Sequence, residues 1–280
     1  MILLNDKLVE KNNAQIAYNN RGTFYGDGVF ETMRCYNGKA IFYESHYFRL
    51  MSSMRILRME IPNNFTPEFF EEQITVLHDA ANEKMEHARA RITVWRNTGG
   101  LYTPDDNTIS YSMELSKLDQ PFIKSKKNEV ELFKDHLLPL GMLGTLKSTN
   151  KMINVLAGIY KSENDYDDML LLNQNKMVAE CISGNLFLRS GDKIKTPPIT
   201  DGCLNGIMRG QVIAQLKKML NYKIVEESIT PFELQRADEL FSTNVIQGIK
   251  SITKYRKKEF VSSTANELRD FFNEKLFRDN

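Results

Sequence analysis

The sequence has no strong charge of either sign and no long apolar run. Its 37 basic and 36 acidic residues leave a formal charge of +1, so no overall field attracts nucleic acid or a membrane surface. No stretch approaches the ~20 apolar residues that a membrane-spanning helix needs. Residues 1–6 contain no basic region followed by an apolar run, so we expect no secretory signal. Partners must therefore be identified from local sites, with no nucleic acid and no membrane expected.

Cysteine is also scarce. Cys35, Cys181 and Cys203 are odd in number and far apart, and no Cys-x-x-Cys pair occurs. This spacing argues against a disulfide framework and against a thiolate metal site. We therefore expect no metal and a reducing, cytoplasmic location. The 280 residues, 41% of them hydrophobic and 26% charged, are typical of a folded chain with one large or two modest domains.

The first part of the chain predicts short strands followed by two helices. Asn37-Gly38, between apolar residues 29–36 and 40–43, indicates a hairpin. A helix with an apolar stripe is expected over 47–57, and another from Thr66 with Pro67 in its first turn. Strands are expected at 91–95 and 109–115. The polar segment 116–121 ends in Pro121, so we predict a small domain at 1–118 and a larger one at 119–280.

The second part alternates strands and helices. Strands are expected at 129–133, 169–172, 185–189 and 222–226. A helix should run from Gly206 to about Leu220, and another should follow Lys147. Thr230 and Thr264 each open a Thr-x-x-Glu sequence, which predicts a capping box. The last helix should bury Leu268, Phe271, Phe272 and Leu276.

Five short motifs occur in order along nearly the whole chain. They are RGTFYGDGVFET at 21–32, HYFRL at 46–50, KSTN at 147–150, ECISGNLF at 180–187 and LNGIMR at 204–209. In order and spacing they resemble the class IV aminotransferases, the fold-type IV family of pyridoxal 5'-phosphate enzymes. That family includes branched-chain aminotransferases, D-amino acid aminotransferases and 4-amino-4-deoxychorismate lyases. Each motif alone is weak evidence, whereas five in the family's order are specific.

The resemblance implies a fold, a cofactor and an assembly. The expected fold is α+β, a two-domain fold-type IV enzyme like D-amino acid aminotransferase, with pyridoxal 5'-phosphate between the domains. Family members bury loops of the small domain against a second subunit, so a homodimer is expected.

The cofactor needs a lysine, an acid at its pyridine nitrogen and an anion site for its phosphate. Taken alone, Lys147 reads as a solvated lysine near a helix start. The resemblance makes it the catalytic lysine, which forms the aldimine and moves the substrate's α proton, and Lys151 is a possible cationic neighbour. The other cofactor-binding residues that the resemblance implies are Arg49, Glu180, Asn185, Gly206, Ile207, Met208, Thr243 and Asn244. Among these, Glu180 is the acid, and the helix start at Gly206 provides N–H groups for the phosphate.

The residues that distinguish the reactions within this family do not all match one group of enzymes. The spacing of KSTN resembles D-amino acid aminotransferases and the lyases, and the Lys-x-x-x-Asn-Tyr motif common in branched-chain enzymes is absent. Thr23 stands where many lyases carry a threonine implicated in elimination. Leu101 stands where lyases usually carry a carboxylate-binding arginine, and Phe30 replaces a tyrosine of the D-amino acid enzymes. Arg96 or Arg34 is a candidate to replace the lost charge.

We therefore predict an aminotransferase acting on branched-chain or D-amino acids, with Thr23 as a further catalytic candidate and Phe30, Arg96 and Leu101 as substrate-binding residues. The lyase that releases pyruvate and p-aminobenzoate is the alternative. A catalytically silent family member is a remote third reading.

Overall fold

The computed structural model describes residues 1–81 and 83–278. By its internal contacts the chain divides into a first unit, Met1–Pro121 with Lys147–Asn150, and a second unit, Phe122–Leu146 with Lys151–Asn280. Among the described residues, no helix has the length and apolar character required to cross a membrane.

The first unit contains helices and an antiparallel sheet. Its elements are β1 (Ile2–Leu4), β2 (Lys7–Val9), α1 (Arg21–Tyr25), β3 (Gly28–Tyr36), β4 (Lys39–Ala40), α2 (Tyr43–Ile56), α3 (Pro67–Asp79), β5 (His87–Arg96) and β6 (Ile109–Leu118). Across the described part of this unit the strand order is β2-β1-β6-β5-β3-β4.

Local sequence explains the ends of these elements. Asn37 and Gly38 both take positive φ, +47° and +76°, as a two-residue hairpin turn requires, and the predicted hairpin is confirmed. The predicted strand to residue 43 is wrong, because β4 ends at Ala40 and Tyr43 already begins α2. Thr66 caps α3 through its side chain, with Pro67 in the first turn as predicted.

One face of this sheet is apolar, and the other is polar. Met33 and Ile92 on the strands share a buried cluster with Leu50, Met54 and Ile74 of α2 and α3. Since side chains alternate along a strand, the residues between them on β3 and β5 lie on the opposite face. That face carries Phe30, Thr32, Arg89, Arg91 and Thr93.

The second unit also mixes strands and helices. Its elements are β7 (Glu129–Leu138), α4 (Met142–Thr145), α5 (Met152–Glu163), β8 (Asp168–Asn173), β9 (Val178–Cys181), β10 (Asn185–Ser190), β11 (Lys193–Thr196), α6 (Ile207–Leu216), β12 (Lys223–Glu226), α7 (Pro231–Arg236), β13 (Glu239–Asn244), β14 (Gly248–Ile252), β15 (Lys254–Tyr255), β16 (Lys258–Glu259) and α8 (Ser263–Phe277). The described strands form two sheets, ordered β12-β11-β10-β13-β14 and β16-β15-β7-β8-β9. The α+β class is confirmed.

Two helix predictions in this unit need correction. Helix α6 ends at Leu216, four residues before the predicted end, and Leu220 is fully exposed. Helix α8 begins at Ser263, so Thr264 lies inside it and forms no capping box. Its N–H instead donates to the buried carboxylate of Glu239. The capping box at Thr230 is confirmed.

The buried side chains of α8 partly match the prediction. Leu268 and Phe272 are buried, whereas Phe271 and Leu276 are only half-buried. The three cysteines are buried and free.

Candidate active site

Lys147 lies on an extended segment rather than at a helix start. The N–H of Phe30 donates to the carbonyl of Lys147 at 2.9 Å, and the N–H of Thr149 donates to the carbonyl of Gly28 at 2.9 Å. Ser148 forms an isolated bridge with Val29. The expectation of a lysine at the mouth of a helix is therefore wrong, because residues 147–150 extend alongside β3 and α5 begins only at Met152.

Side-chain hydrogen bonds fix this lysine segment, residues 147–150. One is made within the segment and one joins the residues on either side of it. Thr149 Oγ1 donates to the carbonyl of Gly26 at 2.8 Å. In the second unit, Lys151 Nζ donates to the carbonyl of Leu146 at 3.1 Å, which ties together the two residues that flank the segment. Burial lowers the pKa of Lys151, while the charge of Glu180 acts in the opposite direction.

Lys147 and Arg91, both in the first unit, contact the same aromatic ring. Its Nζ lies 4.5 Å from the ring centroid of Phe30, and the guanidinium of Arg91 lies 4.1 Å from the same ring. Burial lowers the pKa of Arg91, and the nearby charge of Arg89 acts in the same direction. Sequence reasoning missed Arg91, although its alternation with the apolar residues of β5 is a visible signal that it lies on the polar face.

Arg49 is held by a buried carboxylate. Its Nε and Nη2 donate to the two oxygens of Glu31 at 2.6 and 2.7 Å, and Nδ1 of His46 lies 2.9 Å from Glu31 Oε2. Burial raises the pKa of Glu31, but the charge and hydrogen bonds of Arg49, together with His46, outweigh it and lower the pKa to about 2. Burial lowers the pKa of His46. The sequence motifs contain Glu31 and His46, yet reasoning from them identified only the arginine.

Arg96 does not fit the proposed role of substrate-binding cation. Its Nε donates to Asp27 at 2.9 Å, its Nη2 to the carbonyl of Leu57 at 2.6 Å, and its Nη1 to Asn107. All three nitrogens are thus engaged within the first unit, and the residue is 6% exposed. Arg34 is also buried, and its Nη2 donates to the carbonyl of Gln120.

Thr23 and Leu101 lie on exposed parts of the first unit. Thr23 is on α1, where Asn20 Nδ2 donates to its hydroxyl at 2.9 Å. Leu101 is 76% exposed, and its carbonyl accepts from Arg21 Nη1 at 2.6 Å. Arg21 is itself paired with Asp27 at 2.9 Å. Both predicted residues are therefore accessible to a small molecule.

In the second unit, Glu180 is on β9 and is 8% exposed. Its Oε2 accepts from the N–H of Leu204 at 2.8 Å. Asn185, at the start of β10, donates from Nδ2 to the carbonyl of the same Leu204 at 2.7 Å. Two predicted site residues therefore meet at one backbone position, two residues before Gly206.

The start of α6 offers groups suited to an anion. Gly206 is the N-cap, so the first N–H groups of the helix, at Ile207 and Met208, have no intrahelical acceptor. Thr243, at the end of β13, is paired in register with Asn185. Its Oγ1 is buried without a hydrogen-bond partner among the described residues. Asn244 differs, because its Oδ1 accepts the N–H groups of 246 and 247 at 2.9 and 2.8 Å in a local turn.

Known proteins resemble the chain over nearly its full length. The family model described as "Amino-transferase class IV" matches residues 28–255. A Methanocaldococcus jannaschii protein assigned as a branched-chain-amino-acid aminotransferase is 28% identical over 278 residues, which cover 98% of this chain and 94% of that protein. D-alanine aminotransferase of Listeria innocua is 28% identical over 268 residues, covering 90% and 86%. The structure of 4-amino-4-deoxychorismate lyase from Pseudomonas aeruginosa superposes with a TM-score of 0.83 at 21% identity, covering 99% of each chain.

Proposed function

Because this chain belongs to the class IV aminotransferase family, we propose that it moves an amino group between an amino acid and a 2-keto acid. Pyridoxal 5'-phosphate is the cofactor of the family. The proposed substrates are branched-chain or D-amino acids, since sequence relatives that carry those two names match most of the chain.

The second unit contains candidates for two of the groups that this cofactor needs, an acid and an anion site. A phosphate needs hydrogen-bond donors, and the N–H groups at the start of α6 are suitable. The buried hydroxyl of Thr243 has no hydrogen-bond partner among the described residues, so it can donate to a phosphate oxygen. Glu180 provides a carboxylate in the same unit, which suits a protonated pyridine nitrogen. We propose Thr243 rather than Asn244 as a phosphate ligand, because the Asn244 side chain is used in its own turn.

The residues of the first unit support the proton chemistry. When bound, the cofactor withdraws electrons from the substrate's α-carbon. Lys147 Nζ would hold the cofactor in the resting enzyme, then accept the α proton and return it. Arg49 would supply positive charge to the phosphate, with its fork orientation fixed by Glu31.

Phe30 and Arg91 are the proposed substrate contacts. Both lie against each other, and Lys147 lies over the same ring. An apolar ring suits an aliphatic side chain, while a guanidinium suits a carboxylate. The position of Lys147 over the ring of Phe30 is the observation that carries the proposed function, because it puts a candidate proton carrier on an apolar surface that Arg91 also contacts.

The lyase remains a second candidate because of Thr23. Its hydroxyl is exposed and is held by Asn20, so it could serve an elimination. Leu101 weakens this candidate, since no charge is available at that position to hold a substrate carboxylate.

The test is a substrate panel with the purified, cofactor-loaded protein. We expect amino transfer from D- or L-amino acids to 2-keto acids. Lys147→Ala should abolish transfer, with a loss of roughly 1,000-fold or more, and should remove the visible absorption band. Lys218→Ala, which alters an exposed lysine after α6, is the control. Catalytic release of pyruvate from aminodeoxychorismate without amino transfer would establish the lyase instead. Absence of both activities would indicate a catalytically silent family member.

A further inference from the structure

Two side chains form hydrogen bonds with the backbone of Leu204, one at its N–H and one at its carbonyl. Its N–H donates to Glu180 Oε2 at 2.8 Å, and its carbonyl accepts from Asn185 Nδ2 at 2.7 Å. Both side chains are buried, Asn185 at 4% exposure and Glu180 at 8%. A carboxylate and an amide, five residues apart in the chain, thus fix one backbone position.

The other end of the Asn185 amide contacts the start of α6. A Cβ placed on Gly206 would lie 1.9 Å from Asn185 Oδ1, so the amide oxygen lies directly against this glycine. No side chain larger than hydrogen could occupy that position without displacing the amide. Asn185 therefore touches Leu204 with one atom and Gly206 with the other.

We propose that Asn185 is a positioning residue that sets the carboxylate of Glu180 and the N-terminus of α6 at a fixed separation. The link runs through residues 204–206, which span at most about 7 Å between their outer Cα atoms. A shift of Leu204 would therefore move both groups. This role differs from direct cofactor contact, and it rests on the proposed function, in which Glu180 and α6 serve the pyridine nitrogen and the phosphate.

The geometry predicts which property depends on Asn185. Hydrogen bonds at a helix N-terminus are strongly directional, so a displaced α6 should lose affinity for the phosphate group. Pyridoxal lacks the phosphate but has the ring nitrogen and the aldehyde, so the contacts that Glu180 and Lys147 would make are common to both compounds. The ratio of affinities for pyridoxal 5'-phosphate and pyridoxal isolates the phosphate contribution.

The experiment measures both affinities by absorbance titration of cofactor-free protein. Asn185→Ala should weaken pyridoxal 5'-phosphate binding roughly tenfold or more and pyridoxal binding by a clearly smaller factor, since pyridoxal has the ring nitrogen that Glu180 would meet but lacks the phosphate. Asn185→Asp keeps the side-chain size but replaces the donor with a second acceptor, and should lower the ratio at least as much. Asn128→Ala is the matched control, since Asn128 is also buried and donates to a backbone carbonyl at 2.9 Å; its ratio should equal that of the wild type.

The outcomes separate this inference from the proposed function. If the wild type binds both compounds equally well, the proposed phosphate site is wrong. If the wild type prefers pyridoxal 5'-phosphate and the Asn185 variants keep that preference, the positioning role alone is overturned. An equal loss of affinity for both compounds would overturn it as well, since the start of α6, which only pyridoxal 5'-phosphate would engage through its phosphate, would then not depend on Asn185. If Asn185→Ala does not fold, Asn185→Asp decides between these outcomes.

Discussion

A buried carboxylate determines the orientation of Arg49. Glu31 is 2% exposed and accepts hydrogen bonds from both Arg49 and His46. Its charge would be costly in isolation, so the pair exists because each partner compensates the other. Because two of its nitrogens are bonded to one carboxylate, the guanidinium plane of Arg49 is held in one orientation, which suits a proposed phosphate ligand.

Acid should weaken the fold through Glu31. Its pKa is lowered to about 2 from 4.5, so this contribution is present above pH ~4.5 and is lost as the pH falls towards 2. Glu31→Gln should lower the free energy of unfolding at pH 7 by about 3 kcal/mol. The difference from the wild type should shrink on acidification, as measured by urea unfolding at several pH values.

The control for this prediction is an exposed ion pair. Glu83 bonds Lys117 at 2.6 Å with both side chains about half exposed, and Glu83→Gln should change stability by less than about 1 kcal/mol. An equally small effect of Glu31→Gln would show that the buried pair does not stabilise the fold.

At the scale of elements, the segment at residues 147–150 extends alongside β3. This arrangement holds the backbone of Lys147 against Phe30 by a direct hydrogen bond. A lysine on a backbone segment that is fixed by hydrogen bonds is better oriented for proton transfer than one on a free loop. The hydroxyl of Thr149 strengthens the same contact through the carbonyls of Gly26 and Gly28, at 2.8 and 3.2 Å.

Removal of that hydroxyl should loosen the lysine segment. We expect Thr149→Val to lower kcat/KM roughly tenfold and to cost about 1 kcal/mol of stability. Thr145→Val removes an equivalent bond, from Oγ1 to the carbonyl of Met142 at 2.7 Å, but leaves β3 untouched. If both variants lose the same amount of activity, the contact with β3 has no special role.

Elements governed by local chemistry could be predicted from the sequence. The Asn37-Gly38 turn and the cap at Thr66 follow from short-range rules, and the structure has both. The position of Lys147 could not be predicted in this way, because its pairing partner Phe30 is more than 100 residues away. The apolar spacing after Lys147 correctly predicted helix α5. It gave no signal that residues 147–150, just before that helix, are extended.

The same distinction applies to the site residues. Some could be identified from sequence motifs, and others depend on tertiary contacts. Glu180 and Gly206 lie in recognisable motifs, whereas Arg91 lies outside them, and its alternation with the apolar residues of β5 indicates its face of the sheet but not its contact with Phe30. Arg96 was a candidate because it could replace the charge that is missing at Leu101. Its bonds to Asp27 and Leu57 depend on tertiary contacts that spacing does not reveal.

At the scale of the whole molecule, we propose a homodimer. Met152, Val155 and Ile159 follow helical spacing on α5 and are 67%, 53% and 49% exposed. An apolar stripe of this kind is unfavourable in water, and a second copy would cover it. The formal charge of +1 produces little repulsion between copies.

Sedimentation analysis tests the dimer. The wild type should sediment at twice the 32.4 kDa mass of the chain, and Val155→Asp should raise the dissociation constant roughly tenfold or more. Val261→Asp, at a valine with the same 53% exposure, should leave it unchanged. A wild type that sediments as a monomer would contradict the proposal.

We propose that Lys147 carries the proton during amino transfer with bound pyridoxal 5'-phosphate. The most direct measurement is a half-reaction, in which cofactor-loaded protein is mixed with one amino acid and no keto acid while its absorption spectrum is recorded. We predict that the visible band disappears in proportion to the enzyme present and returns when a 2-keto acid is added. A band that no amino acid changes, in a protein that releases pyruvate from aminodeoxychorismate, would contradict the claim.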